Sequence, residues 1–198
     1  MIVILDYGSG NIRSAERAFA TTGRKVVVSS DPKICEEATG LVVPGVGAFA
    51  SCMKGFLAVG GEKILRNRIA KSLPVLGICV GMQILFDSST ENGHTNGLGI
   101  FPGEVSLIQQ KILPHIGWNS VASASNSNLF RGVETEEFYF VHSYAAKMQV
   151  HGAINTFTEY GENFLSAIET PFVSATQFHP EKSGAAGLKL IANWVATL

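Results

Sequence analysis

The stretch Pro74 to Gln83, PVLGICVGMQ, limits the possible folds more than any other part of this 198-residue chain. An apolar run ending at Ile78 leads directly into Cys79, set between Gly77 and Gly81, and continues into the helix-like Met82-Gln83-Ile84-Leu85-Phe86. G-x-C-x-G at a strand-to-helix junction is a nucleophile elbow with cysteine in place of serine. The two glycines let the backbone turn sharply and a substrate approach, and the following helix sets its positive end beside the sulfur, where a thiolate is stabilised. A free cysteine more often packs as a small apolar residue. The paired glycines favour the elbow here.

The residues ahead of the elbow alternate in the way a parallel sheet requires. Ile2 to Leu5 reads as a buried strand closed by a turn-forming segment, Asp6 to Asn11, and Ile12 to Thr22 carries apolar and small residues at helical spacing. Lys25 to Ser29 is a second strand. Asp31-Pro32 pairs a capping residue with proline at the first helical position, and a short helix through Ala38 precedes a third strand, Leu41 to Val43. Ala48 to Val59 and Ile64 to Lys71 read as helices before the elbow strand. After Gly93 the rhythm changes to Gly- and Asn-rich turns with short runs at Gly103 to Gln109, Glu137 to His142, Gly152 to Thr158 and Phe164 to Ile168. A last core strand at Val173 to Phe178 and a closing helix from Ala185 to Val195 follow.

This pattern predicts an α/β fold: an open, mostly parallel sheet with helices on both faces, plus antiparallel hairpins added to one side in the second half. The length suits a single domain over residues 1–198. A formal net charge of -1 and 16% charged residues leave no basic stripe for nucleic acid. Cys35, Cys52 and Cys79 are an odd set with neither C-x-x-C spacing nor histidine neighbours, which predicts no metal site and a reducing, cytoplasmic setting. No apolar run approaches the roughly 18 residues that cross a bilayer, so a soluble protein is expected.

A nucleophilic cysteine needs a base, and the base needs an orienting group. His179-Pro180-Glu181 supplies both after the apolar strand Val173 to Phe178, at the sheet edge where open α/β folds place their sites. Pro180 stiffens the link, and Glu181 can turn back to fix the imidazole tautomer. Pro44-Gly45-Val46-Gly47, after the third strand, can aim backbone N–H groups at a carbonyl oxygen and complete an oxyanion hole with the Val80 amide. A tight turn that needs glycine accounts for that segment equally well.

GICVGMQ together with QFHPE resembles the class I (triad) glutamine amidotransferases. DYGSGN, PGVGAF, PHIGWN, YFVHSY and FHPEKSG resemble the branch of that family that serves imidazole glycerol phosphate synthase as its glutaminase subunit. The similarity runs from Asp6 to Gly184. Met82, where relatives often carry histidine, and Gly45-Val46-Gly47 in place of adjacent glycines both fit that branch. The resemblance implies that Cys79 is the nucleophile, His179 the base and acid, and Glu181 the orienting carboxylate. It implies that Gln83 and Glu91 hold glutamine, and that the Ser143-Tyr144 segment contacts its amino-acid end through the backbone. His115, Trp118, Tyr139 and Lys182 fall in segments that lie toward the partner and the ammonia path in the family; His115 and Lys182 read equally as solvated, and Trp118 and Tyr139 as core. His94, His142 and His151 receive no catalytic role. Ala145-Ala146 replaces bulkier residues.

The implied reaction is glutamine hydrolysis through a cysteinyl thioester, without cofactor or metal. The implied partner is a (β/α)8-barrel cyclase subunit, in a heterodimer, that joins the ammonia to a phosphoribulosyl-formimino nucleotide and gives imidazole glycerol phosphate and an aminoimidazole carboxamide ribotide. No phosphate-cradling G-x-x-x-x-G-K-[ST] occurs in this chain, which places acceptor chemistry on that partner. Two other classes use the same parts. A cysteine peptidase would need no partner, and Gln83 argues against it; a non-catalytic subunit would typically have lost Cys79 or His179. Val46 is β-branched and resists unusual backbone angles, so the resting segment is expected to withhold its N–H until the partner acts.

Overall fold

A computed structural model describes residues 1–198. The first half consists of β1 (Ile2–Leu5), α1 (Ile12–Ala20), β2 (Val26–Ser29), α2 (Pro32–Glu37), β3 (Gly40–Gly45), α3 (Phe49–Ala58), α4 (Gly61–Ala70), β4 (Val75–Cys79) and α5 (Val80–Gln83). The second half adds β5 (Phe86–Ser89), β6 (Thr95–Asn96), β7 (Phe101–Leu107), β8 (His115–Ser120), β9 (Glu137–His142), β10 (Tyr144–Ala146), β11 (Ile154–Tyr160), β12 (Glu162–Glu169) and β13 (Val173–Thr176). A 3-10 turn (Pro180–Lys182) and α6 (Gly184–Val195) close the chain.

Seven strands form the main sheet in the order β11-β12-β13-β4-β3-β1-β2. The five from β13 to β2 run parallel. Their sequences read as continuous apolar runs because helices cover both faces: β1, β3 and β4 are buried at every residue. The helix signals act as their chemistry requires. Asp31 accepts from the Lys33 and Ile34 amides at 2.8 and 3.2 Å and starts α2. Phe19 of α1 meets Trp194 of α6 edge-on at 5.9 Å, which packs the two helices together against the sheet.

Arg68 of α4 is fully buried and pulls three elements together. Its guanidinium donates to the carbonyls of Cys35 (2.9 Å), Ala38 (2.8 Å) and Pro74 (2.8 Å), around the N-terminal ends of β3 and β4. Burial lowers its pKa to about 10, which leaves it charged at neutral pH.

The second half departs from a simple set of hairpins on one side. Only β11 and β12 extend the main sheet, each antiparallel to its neighbour. A separate four-stranded sheet, β10-β7-β5-β6, contains the parallel pair β5 and β7, and β8 with β9 forms a two-stranded ribbon. The helix after the elbow is also shorter than expected: α5 is a single turn, and Phe86 already belongs to β5. Ile84, Leu85 and Phe86 are all buried, a continuous apolar run that suits a covered strand better than an amphipathic helix. Finally, β3 runs two residues beyond the expected Val43 and includes Pro44 and Gly45. No helix is long and apolar enough to cross a membrane.

Candidate active site

Parallel pairing of β4 with β3 and β13 brings three strand ends to one point. Gly45 lies opposite Cys79, and Thr176 lies opposite Ile78 with His179 three residues on. Cys79 has φ 54° and ψ −113°, a backbone state that costs a non-glycine residue about 1–3 kcal/mol and is held by its surroundings. The flanking glycines are required by contact: a Cβ on Gly81 would lie 1.9 Å from the Val43 carbonyl oxygen, and one on Gly77 would lie 2.7 Å from that of Gly81. Cys79 opens onto a cavity of about 540 Å³. Val80, Gln83, Glu91, Ser143, Tyr144, His179 and Lys182 line it with Cys79, as do Gly10, Asn11, Val46, Gly47, Val141 and His142.

His179 and Glu181 form the expected pair. Nδ1–H of His179 donates to Glu181 Oε1 at 2.7 Å, with side chains only 2% and 3% exposed. That bond fixes the tautomer and turns Nε2 toward the sulfur. Nε2 is buried without a hydrogen-bond partner, so its link to Cys79 is one of proximity in this resting arrangement. Burial works against charge on the ring, but the Cys79 sulfur and the Glu181 carboxylate outweigh it and raise the pKa to about 10. Such a ring is a ready counter-ion for a thiolate. By contrast, burial pushes the Cys35 thiol up to about 11 and raises that of Cys52, which makes both poor nucleophiles. The main chain of His179 is anchored too: its amide donates to Tyr139 O (2.9 Å) and Ser183 Oγ donates to its carbonyl (2.7 Å).

Two hydrogen-bond chains meet at the Tyr144 carbonyl. From one side, Gln83 Nε2 donates to it at 2.8 Å and to Gln177 Oε1 at 3.0 Å, and Gln177 Nε2 reaches Cys79 Sγ at 3.7 Å. Both N–H groups of Gln83 are thereby used. From the other side, His142 Nδ1–H donates to the same carbonyl at 3.0 Å. His142 Nε2 must then accept, from His115 Nδ1–H at 3.1 Å, and His115 Nε2 accepts from the Asn119 amide at 3.3 Å. Every proton in that second chain is fixed with both rings neutral. Burial holds the pKa of His115 down to about 4. Burial first, and then the neighbouring His115 and His179, hold that of His142 down to about 3 against the Tyr144 carbonyl, which raises it.

The segment expected to complete an oxyanion hole does not present its Val46 N–H to the cavity. Gly45 is a strand residue, where a Cβ would come 2.5 Å from the Gly81 nitrogen, so close packing explains it better than anion binding. The Val46 N–H donates to Ser9 Oγ (3.1 Å), while the Val46 carbonyl accepts from the Ser9 hydroxyl (2.8 Å) and the Cys52 thiol (3.3 Å). Gly47 (φ 89°) lines the cavity. The Val80 amide, first in α5, has no intrahelical acceptor and is available as a donor.

Other expected residues fall as follows. Glu91 Oε2 accepts from the Phe49 amide at 2.6 Å, capping α3, whose Ala48 N-cap offers no side-chain oxygen. His115 is neither solvated nor at an outer surface: it stacks on Tyr160 at 4.0 Å and Phe140 at 4.9 Å, because β8 turns its face inward. Trp118 is 53% exposed and not core; it meets half-buried Tyr139 edge-on at 6.2 Å. Lys182 is exposed at the cavity rim. The sequence pointed to neither Gln177 nor Ser9; His142 was assigned no catalytic role, and Cys52 entered only among the three cysteines. Gln177 had one visible signal, since residues two apart on an extended segment share a face and His179 is two residues on.

The sequence pattern described as glutamine amidotransferase class-I matches residues 3–198. The chain belongs to the class-I glutamine amidotransferases. This amidotransferase is 50% identical over 207 residues to the imidazole glycerol phosphate synthase subunit HisH of Thermobifida fusca, covering 100% of this chain and 98% of that protein. It is 52% identical over 206 residues to the subunit of the same name from Nocardia farcinica, at 100% and 98% coverage. The Mycobacterium tuberculosis subunit is 50% identical over 198 residues, at 98% and 96%. Among solved structures, a glutamine amidotransferase superposes with a TM-score of 0.79 at 17% identity, covering 100% of this amidotransferase and 98% of that protein. The glutaminase domain of Trypanosoma brucei CTPS superposes with a TM-score of 0.68 at 16% identity, covering 99% and 92%. At those identities the two structures speak to the fold alone.

Proposed function

We propose that this amidotransferase hydrolyses L-glutamine to glutamate and ammonia through a thioester on Cys79, and acts as the glutaminase subunit of imidazole glycerol phosphate synthase in histidine biosynthesis. The observation that carries this reading is Cys79 on a strained elbow at the cavity wall, with the His179–Glu181 pair turned toward it. The thiolate attacks the carboxamide carbon of glutamine, and the Val80 N–H stabilises the oxygen that gains charge. His179 Nε2–H protonates the leaving nitrogen, the C–N bond breaks and ammonia departs. Nε2 then takes a proton from water, the hydroxide oxygen bonds to the acyl carbon, and the C–S bond breaks to return the thiolate with glutamate. Glu181 keeps the ring oriented and balances its charge throughout. Gln83, with both N–H groups engaged, turns its carbonyl oxygen to the substrate's donors; Glu91 and the Ser143-Tyr144 backbone line the same space.

The ammonia passes to a (β/α)8-barrel cyclase in a heterodimer, and the lyase step belongs to that partner. Exposed Trp118, the Tyr139 edge and Lys182 form the face turned toward it, and residues 1–198 act as one domain. A glutamine-analogue electrophile is expected to label Cys79 and spare Cys35 and Cys52. Cys79→Ala should abolish glutamine-dependent synthesis in the complex while ammonia supplied at alkaline pH restores it. Labelling at Cys35 or Cys52, or failed rescue with a competent cyclase, would overturn the reading.

A further inference from the structure

We propose that Gln177 is a further catalytic residue of this site, whose side-chain amide donates to Cys79 Sγ and holds the sulfur in its charged, attacking form. The inference rests on Cys79 being the nucleophile, as proposed above.

A thiolate in a buried site needs donors, and the resting structure offers few. The elbow helix α5 is one turn of four residues, so only a few peptide dipoles align behind the sulfur. His179 supplies charge, but its Nε2 makes no hydrogen bond. Gln177 Nε2, at 3.7 Å, is the donor that reaches Sγ, and its side chain is fully buried.

The direction of that contact is fixed by chemistry and not by choice of amide orientation. The Tyr144 carbonyl can only accept, so the Gln83 atom facing it at 2.8 Å is the nitrogen. The same nitrogen then donates its second hydrogen to Gln177 at 3.0 Å, which makes the facing Gln177 atom the oxygen. Gln177 is left with its NH₂ toward the sulfur. Reversing it would set two carbonyl oxygens, or two N–H groups, against one another inside a buried chain. A backbone carbonyl some way from the nucleophile therefore decides that the sulfur meets a donor and not an acceptor.

The contact acts where the sulfur is charged: before attack, and again as the C–S bond breaks in thioester hydrolysis. A neutral thioester sulfur accepts hydrogen bonds weakly, so the bond favours thiolate states over the acyl-enzyme. Losing a hydrogen bond to a charged group of this kind lowers the thiolate-to-thiol ratio about tenfold. A more basic thiolate is also intrinsically more nucleophilic, by about threefold for each tenfold shift.

The test is the pH profile of Cys79 alkylation by iodoacetamide in the full-length wild-type chain and in Gln177→Met and Gln177→Asn, read on the Cys79 peptide by mass spectrometry. Met removes the donor at similar length; Asn keeps the amide but withdraws it by one methylene. Each folded variant should shift the profile up by about one pH unit, alkylate about threefold more slowly on its acidic limb, where the thiol predominates in both proteins, and reach an alkaline plateau about threefold above wild type. A merely structural role would not produce crossing profiles. A folded variant with the wild-type profile overturns the proposal, and so does failure of both variants to fold, which would make Gln177 a requirement of the core. The glutaminase reading fails separately, if the glutamine analogue labels a different cysteine in the wild-type chain.

Discussion

Two buried neutral imidazoles in contact should make this fold acid-labile well above the carboxylate range. His115 and His142 are 3% and 7% exposed and share a hydrogen bond of 3.1 Å. Their folded pKa values, about 4 and about 3, lie below the 6.5 of a free imidazole. The folded state therefore binds fewer protons than the unfolded chain, and stability present above pH 6.5 is lost as the pH falls toward those values. At pH 5 each unfolded imidazole is almost wholly protonated and each folded one almost wholly neutral, a difference of about 1.5 pH units or about 2 kcal/mol per ring. The pair should cost about 4 kcal/mol between pH 7 and pH 5, a large share of an ordinary domain's 5–15 kcal/mol. His179 has the opposite sign and offsets a smaller part of that loss. With a folded value near 10, its contribution is full only below pH 6.5 and falls as the pH rises from there toward 10, so going from pH 7 to pH 5 returns about 1 kcal/mol, equally in wild type and His115→Phe. Urea unfolding at pH 7 and pH 5, followed by tryptophan fluorescence, measures the loss. His115→Phe keeps the ring stack on Tyr160 and Phe140 but leaves His142 Nε2 without a donor. It should be about 1–3 kcal/mol less stable at pH 7 yet lose only about 2 kcal/mol more at pH 5. Equal wild-type stability at the two pH values, or an unchanged loss in His115→Phe, would refute the argument.

Two further outcomes are expected. Arg68→Met should lower stability by about 3–5 kcal/mol, because the carbonyls of Cys35, Ala38 and Pro74 lose a buried charged donor; thermal unfolding of the purified chain reads this, and a shift of a degree or less would count against it. Ser9→Ala and Val46→Gly should each raise the glutaminase turnover of the isolated chain with little change in KM, because each loosens the hold on the peptides on either side of Val46. Full activity from the isolated wild-type chain would refute that.

The parallel core was legible because its signals are local. Asp31-Pro32 is a cap read off two residues, and the buried runs of β1, β3 and β4 carry no polar position to mislead. The convergence of Cys79 with His179 and Glu181 was legible because an elbow and an H-x-E each follow an apolar run, and parallel pairing sets those strand ends side by side. The second half was harder, since short strands such as β6 and β10 are assigned by distant partners and not by pattern. His115 illustrates the difficulty. From PHIGWN alone His115 reads as partner-facing or solvated, and only the antiparallel pairing with β9, which sets His115 opposite His142, turns the ring into the core. Gln177 and Ser9 were missed for the same reason: each acts through a contact with a residue from a remote part of the chain, 98 and 37 positions away.

The resting site separates two requirements of acyl transfer. The sulfur is prepared: His179, with its raised pKa, lies beside it and Gln177 donates to it. The oxyanion side is not, because the Val46 N–H is bound to Ser9 and the Val46 carbonyl to Ser9 and Cys52. Two adjoining peptides are held, Gly45–Val46 by its N–H and Val46–Gly47 by its carbonyl, and releasing both breaks three contacts, one of them a weak thiol bond, at a net cost of about 2–3 kcal/mol. The released form would then be populated on the order of 1% of the time, through thermal motion alone. An absent oxyanion donor lowers the rate by about 10²- to 10³-fold, which is of the same size. A basal activity near 1% of the stimulated value is therefore what the clasp alone predicts, without any rearrangement of Cys79, His179 or Glu181. A partner that binds the released form about 10⁴-fold more tightly would move the segment almost wholly into it. Such a partner changes turnover and leaves glutamine affinity in place, because Gln83 and Glu91 are held by contacts with Tyr144, Gln177 and Phe49 that the clasp does not share.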